Sequence, residues 1–97
     1  MLRLLKLSGE SLTPEYQIGD FVFISKIPYF FTSPAQGDVI AFRQPGYGLL
    51  IKRIQEVLPD DKLNVIGSHP ESIDSREFGP ISQKNVIGKV IWHIHKR

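Results

Sequence analysis

Apolar positions along this chain alternate with polar ones in short runs, and Gly, Pro, Asn and Asp interrupt the runs at close intervals. A period of two puts successive side chains on opposite faces of a strand, so the pattern predicts a mostly β fold. Strands are expected over Asp20–Lys26 and Asp38–Arg43, each launched from a Gly-Asp turn at Gly19-Asp20 and Gly37-Asp38. A longer strand over Leu49–Leu58 should return through Pro59-Asp60-Asp61 into Leu63–Gly67, because Pro and Asp suit a hairpin turn. The last strand is expected over Val86–His95, with Gly88 as a candidate bulge and Ile87, Lys89, Ile91, His93 and His95 on one face. No run sustains a 3.6-residue stripe, which limits helix to single turns near Ser11–Tyr16 or Ser82–Asn85. The expected architecture is a small β-barrel or coiled sheet forming a single domain over residues 1–97.

Two stretches read as loops. Pro28–Pro34 carries Tyr29-Phe30-Phe31 between prolines, and three consecutive rings cannot all face inward on a strand. At least one should pack in the core, leaving the others to form a rim for an extended substrate or a contact with a lipid surface. Ser68–Arg76 is polar, and such a loop on a rigid β scaffold is a common home for functional groups.

Composition narrows the chemistry. Ninety-seven residues with 41% hydrophobic content supply one core and leave no room for a second domain. Twelve basic and ten acidic residues give a net charge of only +2, spread along the chain, which argues against nucleic acid as a partner. The absence of cysteine excludes disulfides, thiolate catalysis and thiolate zinc sites. His93 and His95 lack a nearby third ligand in sequence and are expected to be solvated, and His69, although its loop makes it the better functional candidate, also takes the plainer reading, so neither metal nor cofactor is expected. Met1–Leu7 is apolar but far shorter than the ~20 residues of a spanning helix and lacks the features of a secretory signal, which makes the cytoplasm the default location.

Two residues stand in contexts suited to hydrolytic chemistry. Ser11 lies in Ser8-Gly9-Glu10-Ser11-Leu12-Thr13-Pro14, a bend between apolar runs where a hydroxyl can be held out of regular pairing. Lys52 lies in Leu49-Leu50-Ile51-Lys52-Arg53-Ile54, and on a strand it shares a face with Leu50 and Ile54, while Arg53 points the other way and stays charged. Burial on an apolar face disfavours an ammonium and can leave a neutral amine able to take a proton from serine. Each residue also has a plainer reading: Ser11 as a turn or cap serine, Lys52 as a strand lysine reaching for solvent along an apolar stem.

Four blocks in sequence order change that balance, because together they resemble the signal peptidase I-like serine/lysine proteases. Gly9-Glu10-Ser11-Leu12-Thr13-Pro14 with Gly19-Asp20 resembles the nucleophile box. Gly37-Asp38-Val39-Ile40-Ala41-Phe42 resembles the second block, and Ile51-Lys52-Arg53-Ile54 the block holding the base. Ser72-Ile73-Asp74-Ser75-Arg76-Glu77-Phe78-Gly79 with Val86–Val90 resembles the closing block and its final strand. The resemblance implies the β fold of signal peptidases and LexA-like domains, with Ser11 as nucleophile and Lys52 as general base. It further implies Ser72 as the hydroxyl orienting the lysine, an Asp74–Arg76 ion pair, with Arg53 nearby, bracing the loop, and the Ser11 backbone N–H as an oxyanion donor. Read alone, Asp74 and Arg76 would be a surface ion pair.

This chain departs from the family pattern in places. Leu12 stands for the usual Met, a volume-conserving change. Gly9 stands where some members place a serine that completes the oxyanion hole, and Gly67-Ser68-His69 replaces the common Gly-Asp-Asn. The membrane anchor and large inserted domain of secretory members have no counterpart here. Compactness of this kind resembles the maturation proteases associated with nickel-type superoxide dismutase, which remove an N-terminal extension. The expected substrate is a protein or peptide bound as an extended strand. A non-catalytic β module that captures peptides stays open as the alternative. A self-cleaving repressor-type domain also stays open, although no internal cleavage site is visible.

Overall fold

The computed structural model describes residues 2–6, 19–67 and 73–94. In chain order the elements are β1 (Leu2–Lys6), β2 (Phe21–Ser25), α1 (Pro28–Phe31), β3 (Val39–Gln44), β4 (Gly48–Leu58), β5 (Lys62–Ile66), α2 (Ser75–Phe78), β6 (Ile81–Ser82), a 3-10 turn at Gln83–Asn85, and β7 (Val86–Ile94). The strands form one antiparallel sheet in the order β1-β2-β7-β3-β4-β5-β6. Because β1 and β6 are edges, the sheet is open rather than a closed barrel, the coiled-sheet form of the expected mostly β class. The last strand lies between β2 and β3, so its pairings join the two ends of the chain.

β3 is the hinge of the packing. Ile40 and Phe42 face one core with Ile54, Leu63, Val65 and Ile81, whereas Ala41 faces a second core with Val22 and Ile24. Four successive residues of β3, Val39 to Phe42, are therefore buried, because both faces of this strand are covered. The two cores lie on opposite faces of the sheet, which lets one short chain cover a strand on both sides.

The β4–β5 hairpin turns as the pattern predicts. Leu58 pairs with Lys62, and Asp60 (φ 61°) and Asp61 (φ 57°) take the left-handed conformation, which Asp tolerates better than most residues. The turn near Ser82–Asn85 is also present, as the 3-10 segment. The proposed turn at Ser11–Tyr16 lies outside the described residues.

Three elements escape the period-two pattern. β1 is a strand through its pairing with β2, from Leu2↔Ser25 to Lys6↔Phe21, a contact that no local signal announces. The aromatic stretch expected to be a loop forms the one-turn helix α1, with Pro at its first position, where the missing N–H is not needed. Tyr29 packs against the core and donates its hydroxyl to Asp38 Oδ2 at 2.7 Å, while Phe30 and Phe31 are 72% and 82% exposed. Part of the polar loop forms α2, capped by Asp74.

β7 corrects the one-face expectation for Ile87, Lys89, Ile91 and His93. Its register slips twice: Ala41↔Gly88 is followed by Phe42↔Val86, leaving Ile87 extra, and Ile24↔Val90 is followed by Phe23↔Trp92, leaving Ile91 extra. Each extra residue inverts the alternation beyond it. Gly88 is thus the site of the first slip, where a bulge is expected, with Ile87 as the extra residue. Its reason is space: a Cβ there would stand 2.7 Å from Ile24 Cγ2 and 2.9 Å from the Ser25 backbone. His95 lies outside the described residues.

Candidate active site

Lys52 sits in the middle of β4 opposite Ile40 of β3, and Leu50 sits opposite Phe42. Those pairings put Lys52 on the face of the larger core, two residues from buried Ile54. It is 4% exposed, so the snorkelling reading fails. Burial pushes its amine below the ordinary lysine range; the nearby Asp74 carboxylate opposes the shift and the Arg76 guanidinium adds to it. The result is an amine whose neutral form is more accessible than that of a surface lysine. Arg53, one residue on, takes the opposite parity, opposite Val39 and Ile66, and is half-buried.

Asp74 is completely buried and organises the segment beside Lys52. Its Oδ2 accepts from the Gly67 backbone N–H (2.9 Å) and from Arg76 Nη2 (2.8 Å). Its Oδ1 accepts from the Arg76 backbone N–H (3.0 Å) and Nε (2.9 Å), so the guanidinium grips both carboxylate oxygens while the same group caps α2. The contact is not a surface ion pair, since the carboxylate has no exposure although the Arg76 side chain is 51% exposed. Ser75 Oγ accepts the Val65 N–H at 2.9 Å. β6 covers β5 only at Lys62 and Leu63. Asp74 and Ser75 therefore satisfy edge N–H groups that the short β6 leaves over. Phe78 inserts α2 into the core, edge-on to Phe42 at 6.3 Å and beside Tyr47 at 5.4 Å.

Ser11, Gly9 and Ser72 lie outside the described residues, as does His69. Among the described residues, the sequence-derived set brings together Lys52, Asp74 and Arg76. No cluster of three or more metal-ligating side chains occurs among the described residues, and no helix there is long and apolar enough to cross a membrane.

One pair was missed. His93 was expected to be solvated, but its Nε2 lies 2.7 Å from Oδ2 of buried Asp20. The only sequence signal was the Gly19-Asp20 step, which reads as a turn before a strand. The partner on β7 is set by the slip at Ile91, which alternation cannot anticipate.

Comparisons with known proteins place the chain in a family. The family model described as "Signal peptidase, peptidase S26" matches residues 1–57 and 54–94. The two matched pieces meet in the second half of β4. The chain is also similar to signal peptidase I V of Bacillus subtilis (strain 168), 25% identical over 136 aligned residues that cover 88% of this chain and 81% of that protein. That alignment is longer than the chain itself, so the relative carries additional residues within the matched span. With the family model covering nearly the whole sequence, the chain belongs to the signal peptidase, peptidase S26 family of serine proteases.

Proposed function

We propose that the protein is a serine endopeptidase that uses a Ser11/Lys52 dyad to remove an N-terminal extension or leader peptide from a protein substrate. The observation that carries this reading is a lysine buried on an apolar face, with its ammonium form disfavoured, in a chain of the peptidase S26 family.

The chemistry is acyl transfer. Neutral Lys52 takes the proton of the Ser11 hydroxyl as Oγ attacks the scissile carbonyl. The Ser11 backbone N–H, with a further donor near Gly9, stabilises the oxyanion. The Lys52 ammonium then gives its proton to the leaving amine, and the neutral amine activates the water that releases the acyl group. Ser72 orients the amine, while the Asp74–Arg76 pair, with Arg53, holds the loop in place. The peptide binds as an extended strand against a free strand edge, and no cofactor takes part. The substrate class we name, from the resemblance to maturation proteases, is the precursor of a nickel-type superoxide dismutase.

The test is acylation of Ser11 by p-nitrophenyl acetate across pH in wild type, Ser11→Ala and Lys52→Ala, with the acylated residue located by peptide mass spectrometry. Modification that needs both residues and rises through an apparent pKa below that of a free lysine supports the dyad. A folded wild type that takes up no acyl group at Ser11 overturns it in favour of a peptide-capturing module. Incubation with a superoxide dismutase precursor, read by the mass of the new N-terminus, tests the substrate class separately.

A further inference from the structure

The His93–Asp20 pair stands outside the machinery described above, and three observations give it a role. First, both groups are withdrawn from water: Asp20 is 2% exposed and the His93 side chain 15%. A carboxylate in that position is costly unless a strong partner meets it. Second, the pair exists because of a register slip. Val90 lies opposite buried Ile24 and packs in the smaller core, so unbroken alternation would turn Trp92 inward and His93 outward. The extra residue Ile91 reverses this, leaving Trp92 64% exposed and placing His93 opposite Val22, on the buried face. Giving up a buried tryptophan for a buried histidine is not what core packing would select, and bulges recur where a side chain must be re-aimed.

Third, Asp20 occupies a strategic point in the chain. It follows Gly19 in the left-handed conformation (φ 91°) and precedes Phe21, whose partner on β1 is Lys6. The described residues that bracket the stretch carrying Ser11 are thus Lys6 on one side and Gly19-Asp20 on the other, next to each other in the sheet. The Lys6↔Phe21 pairing ties this root to β1, and the His93–Asp20 contact ties it to β7.

We propose that His93 is a positioning residue for the segment that bears Ser11: by holding Asp20 against β7, it fixes the return of that segment to the sheet and with it the placement of the nucleophile. The catalytic consequence rests on the Ser11/Lys52 reading, whereas the structural consequence does not. His93 transfers no proton in the reaction and needs no contact with substrate.

The test compares wild type with His93→Leu, which removes the contact, and His93→Gln, which keeps an N–H donor for Asp20. Each is studied well below its unfolding midpoint. Two quantities are read: the rate of Ser11 acylation by p-nitrophenyl acetate, and deuterium exchange of residues 7–18 against residues 62–82. His93→Leu should slow acylation on the order of 10- to 100-fold and speed exchange selectively in 7–18, and His93→Gln should recover most of both. Exchange that is unchanged in 7–18, or that rises equally in 62–82, overturns the proposal, as does selective loosening with an unaltered acylation rate. If wild-type Ser11 takes up no acyl group, the dyad reading fails, and the exchange comparison alone decides whether His93 holds the segment. Should His93→Leu not fold, His93→Asn, too short to reach Asp20, takes its place with the same expectations.

Discussion

The two halves of the sheet use their large side chains in opposite ways. Around β3 to β6, three rings turn inward while Phe30, Phe31 and Tyr47 stay exposed: Phe42 is fully buried, Phe78 of α2 packs against it, and Tyr29 of α1 closes the same core. Across β1, β2 and β7, they turn outward. Phe21 lies opposite Ile94 and Phe23 opposite Trp92 and Leu4, giving an outer face on which Leu4, Phe21, Trp92 and Ile94 are all substantially exposed. The first half has helices to cover it, and a lysine is buried there on the face of Ile40, Phe42 and Ile54, beside the Asp74 carboxylate. The second half packs the narrower set Val22 and Ile24 against Ala41 of β3, and its polar interior holds Asp20, Ser25 and the partly buried His93. The difference teaches that the unusual protonation environment depends on thorough packing, whereas the root of the Ser11 segment depends on a hydrogen-bonded pair.

The sharpest way to break this comparison is at Lys52. Lys52→Met should lower Ser11 acylation by about 10²–10⁴-fold, the usual worth of a general base. The same change should stabilise the fold at pH 7, because it removes a buried group whose charged form is disfavoured. The sign follows from proton binding: the folded state holds fewer protons than the unfolded chain between the depressed pKa and the ordinary 10.5, so wild-type stability rises with pH in that window. Thermal melts should therefore show the advantage of Lys52→Met shrinking as pH approaches 10.5. A variant that is less stable at pH 7 would contradict a desolvated lysine.

Next in size is a paired truncation. Phe42→Ala removes a fully buried ring and should cost about 3–5 kcal/mol, read by urea denaturation. Trp92→Ala should cost only about 0.2–1 kcal/mol, the range of a cross-strand pair. Equal losses would show that the outer face is covered in solution. Gly88→Ala falls between them, at about 1–3 kcal/mol, because the added methyl meets the β2 backbone as well as Ile24. The smallest expected effect is electrostatic. Arg76 presses the Lys52 amine downward, so Arg76→Gln should move the pH midpoint of acylation upward, and an unmoved midpoint would sever the proposed coupling.

Much of the first half was legible in the sequence. Alternation in Leu49–Leu58 placed Lys52 on the apolar face, and Pro59-Asp60-Asp61 announced the hairpin, because both signals are local. The pairing of Asp74 with Arg76 was legible only through the family's closing block. Less could be read in the second half. β1 is a strand only because β2 lies beside it, and the last strand inserts between β2 and β3 from the far end of the chain.

By itself, the sequence determined the period of its strands, the turns that end them, and the presence of a lysine on an apolar face, since each depends on residues a few positions apart. Only the tertiary structure decided how completely Lys52 is buried, that Asp74 satisfies the edge of β5, and that His93 meets Asp20 rather than water. Those outcomes depend on which strands become neighbours and on a one-residue slip at Ile91. Because strand faces alternate with a period of two, a single added residue exchanges inside for outside, and nothing in the local pattern of β7 records where that exchange occurs.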